Sequence, residues 1–124
     1  MNQKIKLLYV DDETINLQLF AINFKRRFEV ITAKSGQEAL ETLRSHPGIA
    51  VVVSDMRMPG MNGMEFIEAA RQEFSSIPYY ILTGFEISEE IRQGITSGAI
   101  RNYFRKPFNL SELEATILEH LSEN

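Results

Sequence analysis

The sequence contains no cysteine and no tryptophan, and only four of its 124 residues are proline. Without cysteine the chain can form neither a disulfide framework nor a thiolate metal site, which fits a reducing compartment and a cytoplasmic location. No apolar run approaches the roughly 20 residues that a membrane-spanning helix needs, and the first residues do not resemble a signal peptide. We therefore expect a globular domain with no association with a membrane.

Positive charge is also scarce, since 13 lysines and arginines face 17 acidic residues for a net charge of −4. A nucleic-acid surface requires clustered basic residues. The one short basic cluster, Lys25-Arg26-Arg27, has the character of the solvated end of a helix. We therefore expect no direct nucleic-acid binding by this domain.

Apolar segments of strand length alternate five times with helical patterns. The predicted strands are Ile5–Val10, Phe28–Ala33, Ile49–Val53, Tyr79–Leu82 and Ile100–Phe104. The predicted apolar stripes of the five helices are Ile15, Leu19 and Ile22; Ala39, Leu40 and Leu43; Met64, Ile67 and Ala70; Ile87, Ile91 and Ile95; and Leu110, Leu113, Ile117 and Leu121. No repeat or linker interrupts the pattern, so we expect one domain over residues 1–124.

Strict alternation of strands and helices predicts a parallel sheet with helices on both faces. The first, third and fourth strands are almost continuously hydrophobic, as interior strands should be. The second carries Glu29 and Thr32, and the fifth carries Arg101 and Asn102, which places these two at the edges. The expected fold is therefore α/β and flavodoxin-like, a doubly wound five-stranded parallel sheet of order 2-1-3-4-5 with five helices.

Three helix starts show an Asn or Ser followed three residues later by Glu, the pattern of a capping box. The pairs are Ser35 with Glu38, Asn62 with Glu65, and Asn109 with Glu112. These pairs predict the beginnings of the second, third and fifth helices.

Polar residues follow the carboxyl ends of four predicted strands, at Asp11-Asp12, Asp55, Thr83 and Lys106. Ligands of open parallel sheets bind at this edge, where the strand order reverses. Because the first and third strands are neighbours about 4.8 Å apart, their acids should lie within a few ångströms of each other.

Three such acids repel, by about 4 kcal/mol for two charges 4 Å apart at an effective dielectric constant near 20. Lys106 supplies one positive charge, which cannot balance three acids, so a hard divalent cation is expected, and oxygen ligands favour Mg²⁺ over zinc. The combination predicts a phosphoryl site in which Asp55 is a nucleophile that forms an aspartyl phosphate, with Thr83 and Lys106 binding phosphoryl oxygens.

Over essentially its whole length the chain resembles the receiver domain of bacterial two-component response regulators, through the segments "LLYVDDE", "VVVSDMRMPGMNG", "YYILTG" and "GAIRNYFRKPF". The resemblance implies that Asp55 accepts its phosphoryl group from a sensor histidine kinase or a phosphotransfer protein. It implies a Mg²⁺ site made by Asp11, Asp12, Asp55 and the backbone carbonyl of Arg57.

The resemblance also implies how the signal leaves the site. Thr83 would be the switch hydroxyl, Lys106 the phosphate-pairing lysine and Tyr103 the switch aromatic. Arg57 and Phe85 lie at positions that tune the lifetime of the phosphate, and we expect Phe85 to hinder the attacking water. The face made by the fourth helix, fifth strand and fifth helix would mediate homodimerisation or partner binding.

Three alternatives fit less well than this phosphorylation-dependent switch, which would catalyse only its own phosphoryl uptake and autodephosphorylation. An aspartyl-phosphate phosphatase of the dehalogenase-like family requires a second acid two residues after the nucleophile, where this chain has Arg57. A degenerate receiver acting only as a binding module would lack an acid, the lysine or the threonine. A nucleotide- or flavin-binding module would have a glycine-rich loop after the first strand.

Overall fold

The computed structural model describes residues 4–84, 86–107 and 109–122. They form one parallel sheet of order β2-β1-β3-β4-β5, which confirms the predicted flavodoxin-like α/β fold. The elements in chain order are β1 (Ile5–Val10), α1 (Thr14–Phe24), β2 (Phe28–Ala33), α2 (Gly36–Ser45), β3 (Ile49–Asp55), α3 (Gly63–Glu73), β4 (Tyr79–Thr83), α4 (Glu89–Ser97), β5 (Asn102–Arg105) and α5 (Leu110–Ser122).

The two least apolar strands, β2 and β5, lie at the edges, as their composition predicts. Val10 of β1 is in register with Ser54 of β3, and Asp55 is in register with Leu82 of β4. The carboxyl ends of β1, β3 and β4 therefore lie side by side, and whatever follows each strand is delivered to the same edge.

Three of the five strands differ from their predicted bounds, and β4 and β5 each end one residue later than predicted, at Thr83 and Arg105. β3 continues through Asp55, because Ser54 and Asp55 still pair with Ile81 and Leu82 of β4 although the apolar run ends at Val53. β5 begins at Asn102 instead of Ile100. Gly98 ends α4 with a φ of +83°, and Ile100 donates its N–H to the carbonyl of Gly94 at 3.1 Å, so this residue is buried in the turn and not in the strand.

The core consists of two layers, one on each face of the sheet. Leu8 and Val10 of β1 contribute to the layer under α2, α3 and α4, whereas Leu7 and Tyr9 contribute to the layer under α1 and α5. Successive side chains of a strand point to opposite faces, so one continuous apolar strand supplies both layers.

The predicted apolar stripe of α1 is wrong as a core face. Ile15, Leu19 and Ile22 are 67%, 53% and 60% exposed, whereas Leu17, Phe20 and Phe24 are buried. Two faces of this helix have helical apolar spacing, so periodicity alone could not choose between them. The aromatic face is buried because Phe20 stacks on Tyr9 of β1 and Phe24 meets Phe28 of β2 edge to face.

The predicted caps are present at all three sites, and the full reciprocal box is present at Asn62 and Glu65. The side chains of Ser35 and Asn109 accept hydrogen bonds from the backbone N–H groups of Glu38 and Glu112. The fourth helix begins after a cap at Ser88, so Ile87, predicted as part of its stripe, precedes it. None of the helices in the described part of the chain is long and apolar enough to cross a membrane.

Candidate functional site

Three carboxylates meet at the carboxyl edge of the sheet. Asp11 and Asp12 follow β1 directly, and Asp55 is the last residue of β3. One oxygen of each lies within 4.8 Å of the others. Asp11 is completely buried and Asp55 is 8% exposed, whereas Asp12 is exposed, so the cluster opens to solvent on the Asp12 side.

Lys106 brings a positive charge into this cluster from the edge strand. Its Nζ lies 2.9 Å from Oδ1 of Asp55 and 3.8 Å from Oδ2 of Asp11. The Lys106 backbone N–H donates to the carbonyl of Thr83 at 2.8 Å, and its peptide bond to Pro107 is cis. The structure thus brings together the acids, the lysine and the end of β4, as the sequence predicts.

The single positive charge of Lys106 does not neutralise the three carboxylates of this cluster. Burial is the main cause that raises the pKa of Asp55 above its usual range, and the neighbouring charges of Asp11 and Asp12 raise it further. The hydrogen bond and the charge of Lys106 act in the opposite direction but do not cancel these effects. A divalent cation would relieve this repulsion, and a donor set of carboxylate oxygens suits hard cations such as Mg²⁺.

The Asp11 carboxylate is held at both of its oxygens. The hydroxyl of Tyr9 donates to Oδ2 at 2.7 Å, and the backbone N–H of Glu13, the residue before α1, donates to Oδ1 at 3.0 Å. Sequence reasoning missed Tyr9, although the signal was available. Residues two apart in an extended segment share a face, so strand alternation alone places the Tyr9 side chain on the same side as that of Asp11.

The loop between β3 and α3 is packed tightly against Asp55. Met56 donates its N–H to the carbonyl of Leu82, and Gly63 donates its N–H to the carbonyl of Met56 at 2.9 Å. A Cβ built on Gly63 would lie 2.4 Å from the Asp55 carbonyl oxygen, so the chain approaches itself there as only glycine allows. Sequence analysis did not identify this requirement.

The remaining predicted residues surround this centre. Thr83 is buried at the end of β4, one residue beyond the partner of Asp55, and it lines an open cavity of about 320 Å³ beside Lys106. Tyr103 is half-buried in β5, in register with Ile81, and packs against the core layer under α4. Arg57 is exposed in the loop after Asp55. Phe85, predicted to tune the lifetime of the phosphate, lies outside the described residues.

Comparison with known proteins identifies relatives of this chain. Residues 7–118 match the family model of the response regulator receiver domain. The chain is 31% identical over 116 residues to the hydrogenase transcriptional regulatory protein HoxA of Cupriavidus necator, covering 94% of this chain and 24% of that protein. It is 33% identical over 118 residues to the alkaline phosphatase synthesis transcriptional regulatory protein PhoP of Bacillus subtilis, covering 94% of this chain and 48% of that protein.

Solved structures agree with the sequence relatives. The chemotaxis protein CheY4 of Vibrio cholerae is similar with a TM-score of 0.84 and 32% identity, covering 94% of this chain and 98% of that one. A structure of adenylate cyclase from Rhodopirellula baltica gives a TM-score of 0.88 at 32% identity, covering 94% and 87%. The chain spans about a quarter to a half of the length of the curated relatives described above. It belongs to the response regulator receiver domains, the signalling domains of two-component systems.

Proposed function

We propose that this protein is a phosphorylation-dependent switch of a two-component phosphorelay, in which Asp55 accepts a phosphoryl group with Mg²⁺ bound beside it. The observation that carries the proposal is the single pocket in which Lys106 lies 2.9 Å from Asp55 and one oxygen each of Asp11, Asp12 and Asp55 lie within 4.8 Å of one another. We propose that residues 1–124 act as one such unit, which catalyses only its own phosphorylation and dephosphorylation.

In this proposal the donor is a phosphohistidine of a sensor kinase or phosphotransfer protein. A carboxylate oxygen of Asp55 attacks the phosphorus, an O–P bond forms, the P–N bond breaks, and the leaving imidazole keeps the electron pair and takes up a proton. Asp11, Asp12, Asp55 and the backbone carbonyl of Arg57 would hold Mg²⁺, which would neutralise the phosphoryl charge. Lys106 and Thr83 bind the other phosphoryl oxygens.

The conformational response to phosphorylation of Asp55 would pass from the end of β4 to β5. An aspartyl phosphate adds nearly two negative charges, which attract the Lys106 ammonium and the Thr83 hydroxyl. These two residues are already joined by a backbone hydrogen bond, and Tyr103 lies three residues before Lys106. A difference of a few kcal/mol in affinity for two shapes of the α4-β5-α5 face is sufficient to shift their populations. Arg57 and Phe85 would tune how long the phosphate survives.

The exposed stripe of α1, made by Ile15, Leu19 and Ile22, would receive the phosphodonor. These large aliphatic side chains are more than half exposed, and Leu19 lines a cavity together with Leu110 at the start of α5, which is 41% exposed. The cavity measures about 390 Å³, and Lys106 forms part of its wall. A surface that is both apolar and continuous with the phosphoryl pocket suits an amphipathic helix that carries the donor histidine.

The proposed function is tested with acetyl phosphate and intact-mass spectrometry. We expect the mass of one phosphoryl group to be added in Mg²⁺ and not in EDTA, because the acids repel an incoming phosphate when no cation is bound. Borohydride reduction followed by peptide mapping should place the modification on Asp55. An adduct that forms equally well in EDTA, or that maps to another residue, would contradict the proposal.

The docking surface is tested separately, with Leu19→Asp. We expect phosphotransfer from autophosphorylated sensor kinases of the source organism to fall about tenfold, as loss of about 1.4 kcal/mol at one interface residue would give. Phosphorylation by acetyl phosphate should not change, because that donor needs no protein surface. Ile95→Asp, at a 39% exposed aliphatic residue of α4, is the matched control. Equal losses with both donors would place the defect in the phosphoryl pocket and would argue against docking on α1.

A further inference from the structure

We infer that Tyr9 is a positioning residue for the cation site, because its hydroxyl holds the Asp11 carboxylate in the orientation that a divalent cation requires. This inference rests on the proposed function and adds to it a residue that binds neither cation nor phosphate. Its basis is a buried hydrogen bond of 2.7 Å from the Tyr9 hydroxyl to Oδ2 of Asp11.

The bond is one of two that fix the plane of the carboxylate. The second comes from the Glu13 backbone N–H to Oδ1 at 3.0 Å, so β1 and the start of α1 each hold one oxygen. Lys106 is farther from Asp11, at 3.8 Å, than from Asp55, at 2.9 Å, so its ammonium is directed mainly at Asp55. The phenol is therefore the closest side-chain donor that the structure gives for Asp11.

The phenol itself cannot move easily. Tyr9 is only 2% exposed, and its ring stacks on Phe20 of α1 with centroids 4.0 Å apart and an interplanar angle of 8°. Phe20 in turn packs on Phe24 at 4.5 Å. Side chains packed in this way have few alternative rotamers, so the position of the hydroxyl is set by the packing of α1 on the sheet.

Removal of the hydroxyl would leave a completely buried carboxylate oxygen without its nearest donor. The carboxylate would then rotate toward the remaining donors, and cation binding would have to restore its orientation. Groups that orient metal ligands through hydrogen bonds typically affect metal affinity by about 10- to 100-fold when they are removed.

The test compares Tyr9→Phe with Tyr79→Phe in a titration with Mn²⁺, in which electron paramagnetic resonance measures the concentration of unbound Mn²⁺. Both tyrosines are 2% exposed, and both donate to an oxygen, since Tyr79 donates to the Phe74 carbonyl at 2.9 Å. Tyr79 is the first residue of β4, whereas Asp55 is the last residue of β3. The control therefore loses a similar hydrogen bond at the amino ends of the strands, away from the carboxylate cluster. We expect the Mn²⁺ dissociation constant to rise about tenfold in Tyr9→Phe and to stay at the wild-type value in Tyr79→Phe.

A second readout is the rise in melting temperature on addition of Mn²⁺, which should be smaller in Tyr9→Phe than in wild type and Tyr79→Phe. Wild-type affinity in Tyr9→Phe, or the same loss in both variants, would overturn the inference. If Tyr9→Phe does not fold, Phe20→Leu replaces it, because it removes the stacked ring that sets the position of the Tyr9 hydroxyl. We expect the Mn²⁺ dissociation constant to rise there as well, and a wild-type value would overturn the inference. Absence of Mn²⁺ binding and of the Asp55 adduct in the wild type would instead refute the proposed function.

Discussion

Asp55→Asn is expected to abolish phosphoryl uptake and, in metal-free buffer near neutral pH, to raise the free energy of unfolding by about 1 kcal/mol. Most substitutions of a buried polar residue destabilise a protein, so the sign of this change is diagnostic. The amide keeps the size of the side chain while removing one of three crowded negative charges. It also removes the oxygen nucleophile that phosphorylation requires.

The sign follows from the direction of the pKa shift. Burial and the neighbouring acids raise the pKa of Asp55 in the folded protein above its ordinary value of 3.8. The stability linked to this shift is fully present below the ordinary pKa and is lost as the pH rises through the folded-state pKa. Near neutral pH the wild type has lost it, whereas the uncharged Asn has nothing to lose. Because Lys106 gives up a partner in the variant, we expect about 1 kcal/mol and not the full 4 kcal/mol of a close charge pair.

Urea unfolding in EDTA, followed by circular dichroism, measures this effect near neutral pH and again below the ordinary pKa of 3.8, where the gain should have disappeared. Glu73→Gln is a control of opposite sign. Its carboxylate accepts two hydrogen bonds from the Arg44 guanidinium, at 2.9 and 2.6 Å, which lower the pKa of Glu73. That variant should gain no stability. An Asn variant that is less stable than wild type in EDTA would show that the acids do not repel as the structure implies.

Gly63→Ala is expected to lower the free energy of unfolding by about 3 kcal/mol, the upper part of the usual range for overpacking. The added Cβ would lie 2.4 Å from the Asp55 carbonyl oxygen, 2.8 Å from Cδ1 of Ile81 and 3.1 Å from Cα of Met56. Two of these three atoms belong to the backbone of Asp55 and Met56, so the clash cannot be relieved by rotation of a side chain. The β3–α3 loop must move, and Asp55 must move with it.

Phosphorylation by acetyl phosphate should therefore slow in Gly63→Ala even under conditions where the variant is fully folded. The measurements are urea unfolding and the rate of adduct formation by mass spectrometry. Gly84→Ala is the matched control within the same site, since among the residues that the structure describes its Cβ would meet only Cδ of Lys106, at 3.9 Å, an ordinary contact. We expect its stability to change by less than about 0.5 kcal/mol. Equal effects of the two substitutions would show that the close approach at Gly63 has no role.

The parts of the fold that the sequence predicts correctly are those that depend on local patterns. The interior strands β1, β3 and β4 are apolar along their length because both faces of the sheet are covered, and the edge strands carry charge because water reaches them. The strand order then determines which loops share an edge. For this reason the approach of Lys106 to Asp55 could be predicted before any distance was known.

The incorrect predictions concern choices between locally equivalent options. In α1 two sets of apolar residues have helical spacing, the exposed Ile15, Leu19 and Ile22 and the buried Leu17, Phe20 and Phe24. The aromatic contacts of the second set with Tyr9 and Phe28 decide which set is covered. The start of β5 was mispredicted for a similar reason. Ile100 is an apolar β-branched residue of the kind found in strands, but it is buried in the turn that follows Gly98.

By itself the sequence determined the order of the strands and the set of ionisable groups at their ends, because hydrophobic period and charge are properties of short segments. Only the tertiary structure decided that Gly63 must lack a side chain and that α1 presents an aliphatic stripe to solvent. Each of these depends on contacts between segments that pack in three dimensions, and close packing discriminates at distances of a few tenths of an ångström, which no one-dimensional pattern encodes.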